Sequence, residues 1–392
     1  MANPSEALDE RAAPPASAGP ERGFLAALLA LTFLMNTAGR GVTETFAVFL
    51  LPVEAALAVS RAEISSTYSI YMLAHGLAAP FTGQLIDRLG AASLGMVAAS
   101  SLLSRWFTAR IGMIMALPYA AVGIGMLVLP PLTQLLLASM DWRAAHRVLG
   151  YGVIALLPLA MLFPLGRMTT GSPSWQARRQ VDVRGGGARW PLSTAMRTGA
   201  FWGLFAAYFF TSVAAYSVMP HSVAYLVERG FDKLAAASVF GFTGLLSAIG
   251  IVVMGGLSDR IGRRATATLS YLSTMVGITA LVLVSVWPVF AFVYAFVLFF
   301  GLMQGARGPI IVALVAELFA GGSVGAIFGT LSLALGLGAG LGSWGSGLLY
   351  QWTGSYVAPF SVGIAAAFCG MATFWVVPSL RNARLAGATA AA

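Results

Sequence analysis

The residues that could do chemistry here are few, and each sits in an apolar stretch. Arg307 lies in Gln304-Gly305-Ala306-Arg307-Gly308-Pro309, among small residues and close to a proline that removes a helix hydrogen bond. A weakened helix carrying a guanidinium suits a place where backbone and side chain together meet an anion. The alternative is an arginine whose aliphatic stem lies in the apolar phase while its head reaches the nearer polar boundary. Arg40 and Glu44 are four residues apart, so a helix puts them on one face. They form either a structural ion pair or one that an incoming anion would split, freeing Glu44 to take a proton. His75 and His221 each read as a packing residue or a proton relay. Tyr71, Tyr208, Tyr216 and Gln304 are candidate donors to a solute. No nucleophile constellation, nucleotide-binding glycine loop or metal-ligand spacing stands out, and the single cysteine, Cys369, allows no internal disulfide. Catalytic residues, metal and cofactor are therefore not expected.

A membrane must position these groups. The chain of 392 residues is 58% hydrophobic and 9% charged, with mean hydropathy +0.82. Apolar runs of about 20 residues recur, the length that crosses a bilayer as a helix. Backbone groups in hydrocarbon must be satisfied within their own segment, so helices are the default, and the period-two alternation of a barrel is absent. The expected class is an all-α polytopic membrane protein. The net charge is +9, from 22 arginines and Lys233. Nucleic acid is the usual partner of so basic a chain, but these arginines cluster where a topology rule puts them, beside anionic lipid.

One charged turn between apolar helices occurs twice. Gly255-Gly256-Leu257-Ser258-Asp259-Arg260-Ile261-Gly262-Arg263-Arg264 repeats Gly83-Gln84-Leu85-Ile86-Asp87-Arg88-Leu89-Gly90, 172 positions earlier. Here the chain resembles the major facilitator superfamily of secondary transporters, whose signature loop is of this kind and recurs once per half. The first copy departs from the family pattern, with Ala91-Ala92 where basic residues usually stand. The resemblance implies two six-helix bundles around a central solute pathway. It also implies a gating role for Gly83, Asp87, Arg88, Gly90, Gly255, Asp259, Arg260, Gly262 and Arg263. More narrowly, Gln304 to Glu317 resembles the monocarboxylate and oxalate–formate porter branch. That branch often carries a charged pair in its eighth helix, and Leu245 to Met254 has none.

The order of segments follows. Residues 1–22 are expected to be a disordered cytoplasmic tail rather than a signal peptide. Spans are expected near 24–51, ending at Pro52, and near 64–86, with Arg61 and Glu63 in an outer turn. The stretch 91–107 is too short to cross and has basic flanks on both sides, so it reads as a stub. Further spans are expected near 111–138, interrupted by Pro118 and Pro130-Pro131, and near 148–166. A cytoplasmic linker, 168–198, divides an N-terminal bundle, 23–167, from a C-terminal six-helix bundle, 199–380, with a tail at 381–392. Six spans are expected in the second half, giving ten full spans in all. The halves align at an offset of 172 up to the signature loops. Beyond them, Arg105 to Gly112 resembles Glu317 to Gly325 at an offset of 212, with Phe107 matched to Phe319. The change in offset, 212 − 172 = 40, is read as a third helix and half of a fourth missing from the first half. This topology puts 16 of the 23 basic residues in the cytoplasm, five outside and two within spans, so both termini are expected inside a cell inner membrane.

The expected activity is alternating-access transport of a small organic anion with a proton, as a symporter or antiporter. Arg307, Arg40, Gln304, Tyr71 and Tyr216 would bind the solute, and Glu44 and His75 would couple the proton. Two alternatives stay open: export of amphipathic or neutral solutes, and a truncated remnant that does not transport.

Overall fold

The computed structural model describes residues 22–89, 103, 106, 111–162, 172, 191–319 and 324–381. Gly90, most of the 91–107 stub, most of the linker and nearly all of both tails lie outside the described residues. The described first half comprises α1 (Arg22–Glu44), α2 (Phe46–Leu57), α3 (Arg61–Leu89), α4 (Ile111–Ser139) and α5 (Trp142–Met161). After a short turn, α6 (Leu192–Ala195), the second half comprises α7 (Gly199–Tyr216), α8 (Met219–Glu228), α9 (Lys233–Ile261) and α10 (Arg263–Leu283). Next come α11 (Phe290–Phe296), a π turn at Val297–Gly301, α12 (Leu302–Gln304) and α13 (Arg307–Leu318). The described chain closes with α14 (Val324–Thr353), α15 (Val357–Val376) and α16 (Pro378–Arg381). Seven described stretches are long and apolar enough to cross a membrane: Gly23–Leu57, Ala120–Ser139, Gly199–Glu228, Lys233–Ser258, Arg263–Leu283, Ala326–Thr353 and Val357–Val376.

Prolines mark some helix breaks and not others: Pro220 opens α8 just past one break and Pro309 lies in the first turn of α13, but several prolines sit inside unbroken helices. Pro52 lies inside α2, which runs on to Leu57. The first span breaks instead at Thr45, whose hydroxyl donates to Val42 O at 2.6 Å. The matching break after α7 falls at Ser217, whose hydroxyl donates to Val213 O at 2.7 Å. Thr45 and Ser217 are 172 apart, so both halves break at equivalent positions, with a hydroxyl that competes for backbone carbonyls. Helix α4 runs unbroken through Pro118, Pro130 and Pro131. The last two free the carbonyls of Met126 and Leu127, and both face Gly241 of α9, where an added Cβ would sit 3.0 Å from each. Opposing backbone C–H groups then meet carbonyls that the prolines left without helix partners.

The halves meet along α3 against α14 and α4 against α9. Glycines set both crossings. A Cβ on Gly336 would lie 2.6 Å from Gly76 Cα, and one on Gly123 would lie 2.5 Å from Gly244 O and 2.8 Å from Ala248 Cβ. The crossings exchange under the repeat: Gly76 maps to Ala248 at an offset of 172, and Gly123 to Gly336 at 213. Within the halves, Gly125 against Thr37 O matches Gly338 against Phe209 O at the same two offsets. Between these crossings the offset grows by 213 − 172 = 41. The second half is longer there by that amount, one position more than the sequence alignment gives.

Two helix starts explain the first offset locally. Ser60 and Glu63 form a reciprocal cap on α3: the Ser60 amide donates to Glu63 Oε2 at 2.7 Å and the Glu63 amide to Ser60 Oγ at 3.3 Å. Asp232, the counterpart of Ser60 at the 172 offset, caps α9 by accepting from the Ala235 amide at 2.9 Å. Arg61 and Glu63 thus belong to the first turn of α3 rather than to a loop.

Candidate functional site

The breaks gather the candidate side chains. At the first, Arg40 Nη2 donates to Glu44 Oε1 at 3.0 Å; Glu44 is buried at 3% exposure and Arg40 is 28% exposed. At the second, Tyr216 ends α7 and its hydroxyl interacts with Arg40 across the two halves. Tyr68 of α3 lies between, with its ring 6.1 Å from Tyr216, 6.1 Å from Tyr71 and 4.7 Å from Phe46. Tyr71 OH is 3.4 Å from Thr43 Oγ1, and the His75 ring is 6.3 Å from that of Tyr71. At the third break, Gln304 Nε2 reaches Met219 Sδ at 2.6 Å, and Met219 packs in the same apolar cluster as Tyr68 and Tyr216. Gln304 Oε1 is buried without a partner. Arg40, Glu44, Tyr71, Tyr216, His75 and Gln304 therefore fall along one belt between the halves. Tyr68, on the same span as Tyr71 and His75, belongs to it, and so does Met219, which nothing in the sequence marks out.

Arg307 is not in that belt. It opens α13 and is 2% exposed, which rules out the snorkelling arrangement. Its Nη1 donates to Thr274 Oγ1 at 2.8 Å and Ser270 Oγ at 3.3 Å, and its Cζ lies 4.7 Å from the Tyr271 ring centroid. Tyr271 in turn meets Thr211 Oγ1 at 2.6 Å. All these partners belong to the second half, and none touches Arg40. Nε and Nη2 of Arg307 are buried without partners. A buried cation with free donors is costly unless an anion completes it.

Tyr71 and His75 are exposed. Their counterparts at the 172 offset, Thr243 and Ser247, lie beneath the π-turn segment: a Cβ on Gly301 would meet Thr243 Cα at 2.9 Å and one on Gly305 Ser247 Oγ at 2.5 Å. The first half shows no matching cover among the described residues. His221 is fully buried, with Nε2 3.1 Å from Ser343 O and Nδ1 3.4 Å from Tyr356 OH, a packing arrangement. A cleft of 310 Å³ lies between α2, α3 and α5, lined mainly by apolar residues such as Phe46, Phe49, Leu50 and Trp142, and holds none of the sequence candidates.

Around the second signature loop, Gly262 ends α9 at φ +90° and begins α10, a conformation that favours glycine. Arg263 Nη2 then reaches Glu317 Oε1 at 3.0 Å and its Nη1 Ser258 Oγ at 2.9 Å. The loop is thereby tied to Glu317 at the end of α13. Gly83, Asp87 and Arg88 lie in the last turns of α3, and Asp259 in the last turn of α9; their side chains lie outside the described residues.

Two repeated helical bundles, broken at equivalent depths around polar groups, define a membrane carrier. The Major Facilitator Superfamily model matches residues 90–306 and 245–390, more than half of the chain, and the protein belongs to that family. It is 25% identical to Monocarboxylate transporter 13 of Rattus norvegicus, over 92% of this chain and 90% of that protein. It is 22% identical to the uncharacterized MFS-type transporter YcxA of Bacillus subtilis, over 90% and 95%. The fold matches the crystal structure of a D-xylose-proton symporter with TM-score 0.68 at 13% identity, covering 91% of this chain and 99% of that one. The chain is a multi-pass secondary transporter, not an enzyme, and its partners are a small-molecule substrate and the bilayer.

Proposed function

We propose that this transporter carries a small organic anion of the monocarboxylate class together with a proton. The observation that carries this reading is the Arg40–Glu44 pair, held against Tyr216 of the other half where both helices break. A carboxylate entering between the halves competes with Glu44 for Arg40, and the released Glu44 takes the proton. Tyr216, Tyr71 and Gln304 offer donors along the belt, and His75 stands next to Tyr71 as a second proton carrier. Arg307 is a deeper anion-binding group in the second half, with two donors unoccupied. The loops at Asp87-Arg88 and at Asp259-Arg260 with Arg263 gate the end at which they lie. That end faces the cytoplasm, with both termini there, in a cell inner membrane. The excess length of the second half between the two crossings supports a third helix and half of a fourth missing from the N-terminal bundle.

A second reading, export of amphipathic or neutral solutes, is favoured by the aromatic run Phe46, Tyr68, Tyr71 and Tyr216. A third of the chain is also 31% identical to an MFS-type efflux pump of Mycolicibacterium smegmatis. Uptake of labelled carboxylates into proteoliposomes separates the two. The anion reading expects Arg40→Gln and Arg307→Ala each to lower uptake at least tenfold. Carboxylate uptake that is unchanged in both variants overturns it and favours export; a chain restored with the missing stretch is the control for a silent remnant.

A further inference from the structure

Arg61 occupies the first turn of α3 at the end of the bundle opposite the signature loops, and only 5% of its side chain is exposed. Its Nε donates to Glu54 Oε2 at 2.7 Å, within the first half. Its Nη2 donates to Glu228 Oε1 at 2.8 Å, and its Nη1 to the Tyr356 hydroxyl, both in the second half. The guanidinium also lies over the Tyr350 ring, 4.6 Å from its centroid, while Tyr350 OH donates to the same Glu228 oxygen at 3.2 Å. Tyr356 OH continues to His221, and His221 to the Ser343 carbonyl of α14. Just below, Gly347 of α14 sits on α3 so closely that a Cβ would lie 2.9 Å from Arg61 O and 3.0 Å from Ala62 Cα. The Arg61–Glu228 pair joins the two halves, whereas Arg40–Glu44 and Arg263–Glu317 each stay within one half.

We infer that Arg61 is a latch that shuts the transporter at this end, and that each cycle requires Glu228, Tyr350 and Tyr356 to leave it while Glu54 stays. The division of partners fits the task. Glu54 travels with Arg61, so the guanidinium keeps one carboxylate when the halves part and is never left as an unpaired cation. The three second-half partners hold the remaining donors and the guanidinium face, so parting the halves at this end breaks all three contacts. This rests on the chain being a carrier that alternates, and not on which solute it carries.

The test reads distances between halves without substrate. In a Cys369→Ser background, spin labels at Ala56 and Thr353 report the Arg61 end, and labels at Gln84 and Ala326 the signature-loop end. The latch predicts that Arg61→Gln raises the long-distance population of the first pair several-fold and the short-distance population of the second. Glu228→Gln, which spares the Arg61–Glu54 pair, should do the same to a smaller degree, and it stands in if Arg61→Gln does not fold. Distributions that superimpose on the parent in both variants overturn the inference, and so does a change confined to the Arg61 end, which is local fraying. Because uptake is not the readout, a latch that fails leaves the anion reading standing, and a failed anion reading leaves the latch standing.

Discussion

Gly336→Ala should loosen the contact on which the two halves turn. The new Cβ would lie 2.6 Å from Gly76 Cα and 2.8 Å from Met72 O, both backbone atoms that cannot swing aside. Carbon atoms rest about 3.5–4.0 Å apart, so α3 and α14 must separate by about 1 Å. Overpacking of that kind costs about 1–3 kcal/mol, a factor of roughly 5 to 160 in the balance between packed and parted halves. The helix itself gains about 0.5–1 kcal/mol when glycine becomes alanine, which offsets only part of this. Gly345→Ala is the internal control: same helix, same chemistry, and nothing within 4 Å of the new atom. Gly123→Ala is the symmetry control, because it strikes Gly244 O and Ala248 Cβ at the other crossing. Thermal melts of detergent-purified protein, followed by tryptophan fluorescence, should put Gly336→Ala and Gly123→Ala together below the parent. Gly345→Ala should match or exceed the parent. If Gly336→Ala melts with Gly345→Ala, the halves do not rest on this contact and the geometry argued from it fails.

Other outcomes follow from single contacts. Arg40→Gln strands the carboxylate of Glu44, a loss of about 3–5 kcal/mol for a fully buried pair and less here because Arg40 is partly exposed. Melts should therefore rank Arg40→Gln below Glu44→Gln, with the double variant recovering part of the loss. Equal single losses that simply add would show no coupling. Arg263→Ala removes a partly exposed pair with Glu317, so its effect on the melt should stay below about 1 kcal/mol and shrink further in high salt. Glu63 accepts from the Ser60 amide first and the Ser60 hydroxyl second, which holds its carboxyl below the usual range. A lowered carboxyl stabilises the fold above about pH 4.3 and loses that contribution as pH falls through the lower folded value. Glu63→Gln should thus melt below the parent at neutral pH and converge with it in acid; a constant gap across pH would contradict the capping account.

The fold was legible where local chemistry repeats. The signature turns depend on glycine and charge within a short stretch, and the starts of α3 and α9 on Ser60 and Asp232, so the 172 offset could be read directly. The helix breaks could not. Proline was the expected signal, yet Pro52, Pro118, Pro130 and Pro131 all lie inside helices; the first span breaks at Thr45, and only the matching break at Ser217 has a proline, Pro220, beside its hydroxyl. A hydroxyl that returns to its own backbone looks like any other Thr or Ser in sequence. Arg40 and Glu44 were legible as a pair because helical spacing fixes them. Their contact with Tyr216 was not, because the partners lie in different halves of the chain. Arg307 was recognised as an unusual charge, but its distance from Arg40 depends on how α10 and α13 pack. Arg61 looked like a loop arginine, since none of Glu228, Tyr350 or Tyr356 is near it in sequence.

The account turns on Glu44 taking up a proton when an anion draws Arg40 away. Proteoliposome uptake of a labelled monocarboxylate, driven with and without an inward proton gradient, addresses that step for the parent and for Glu44→Gln. The account predicts gradient-stimulated uptake in the parent and, in Glu44→Gln, solute exchange that no longer responds to the gradient. Gradient-driven uptake that survives in Glu44→Gln would contradict it.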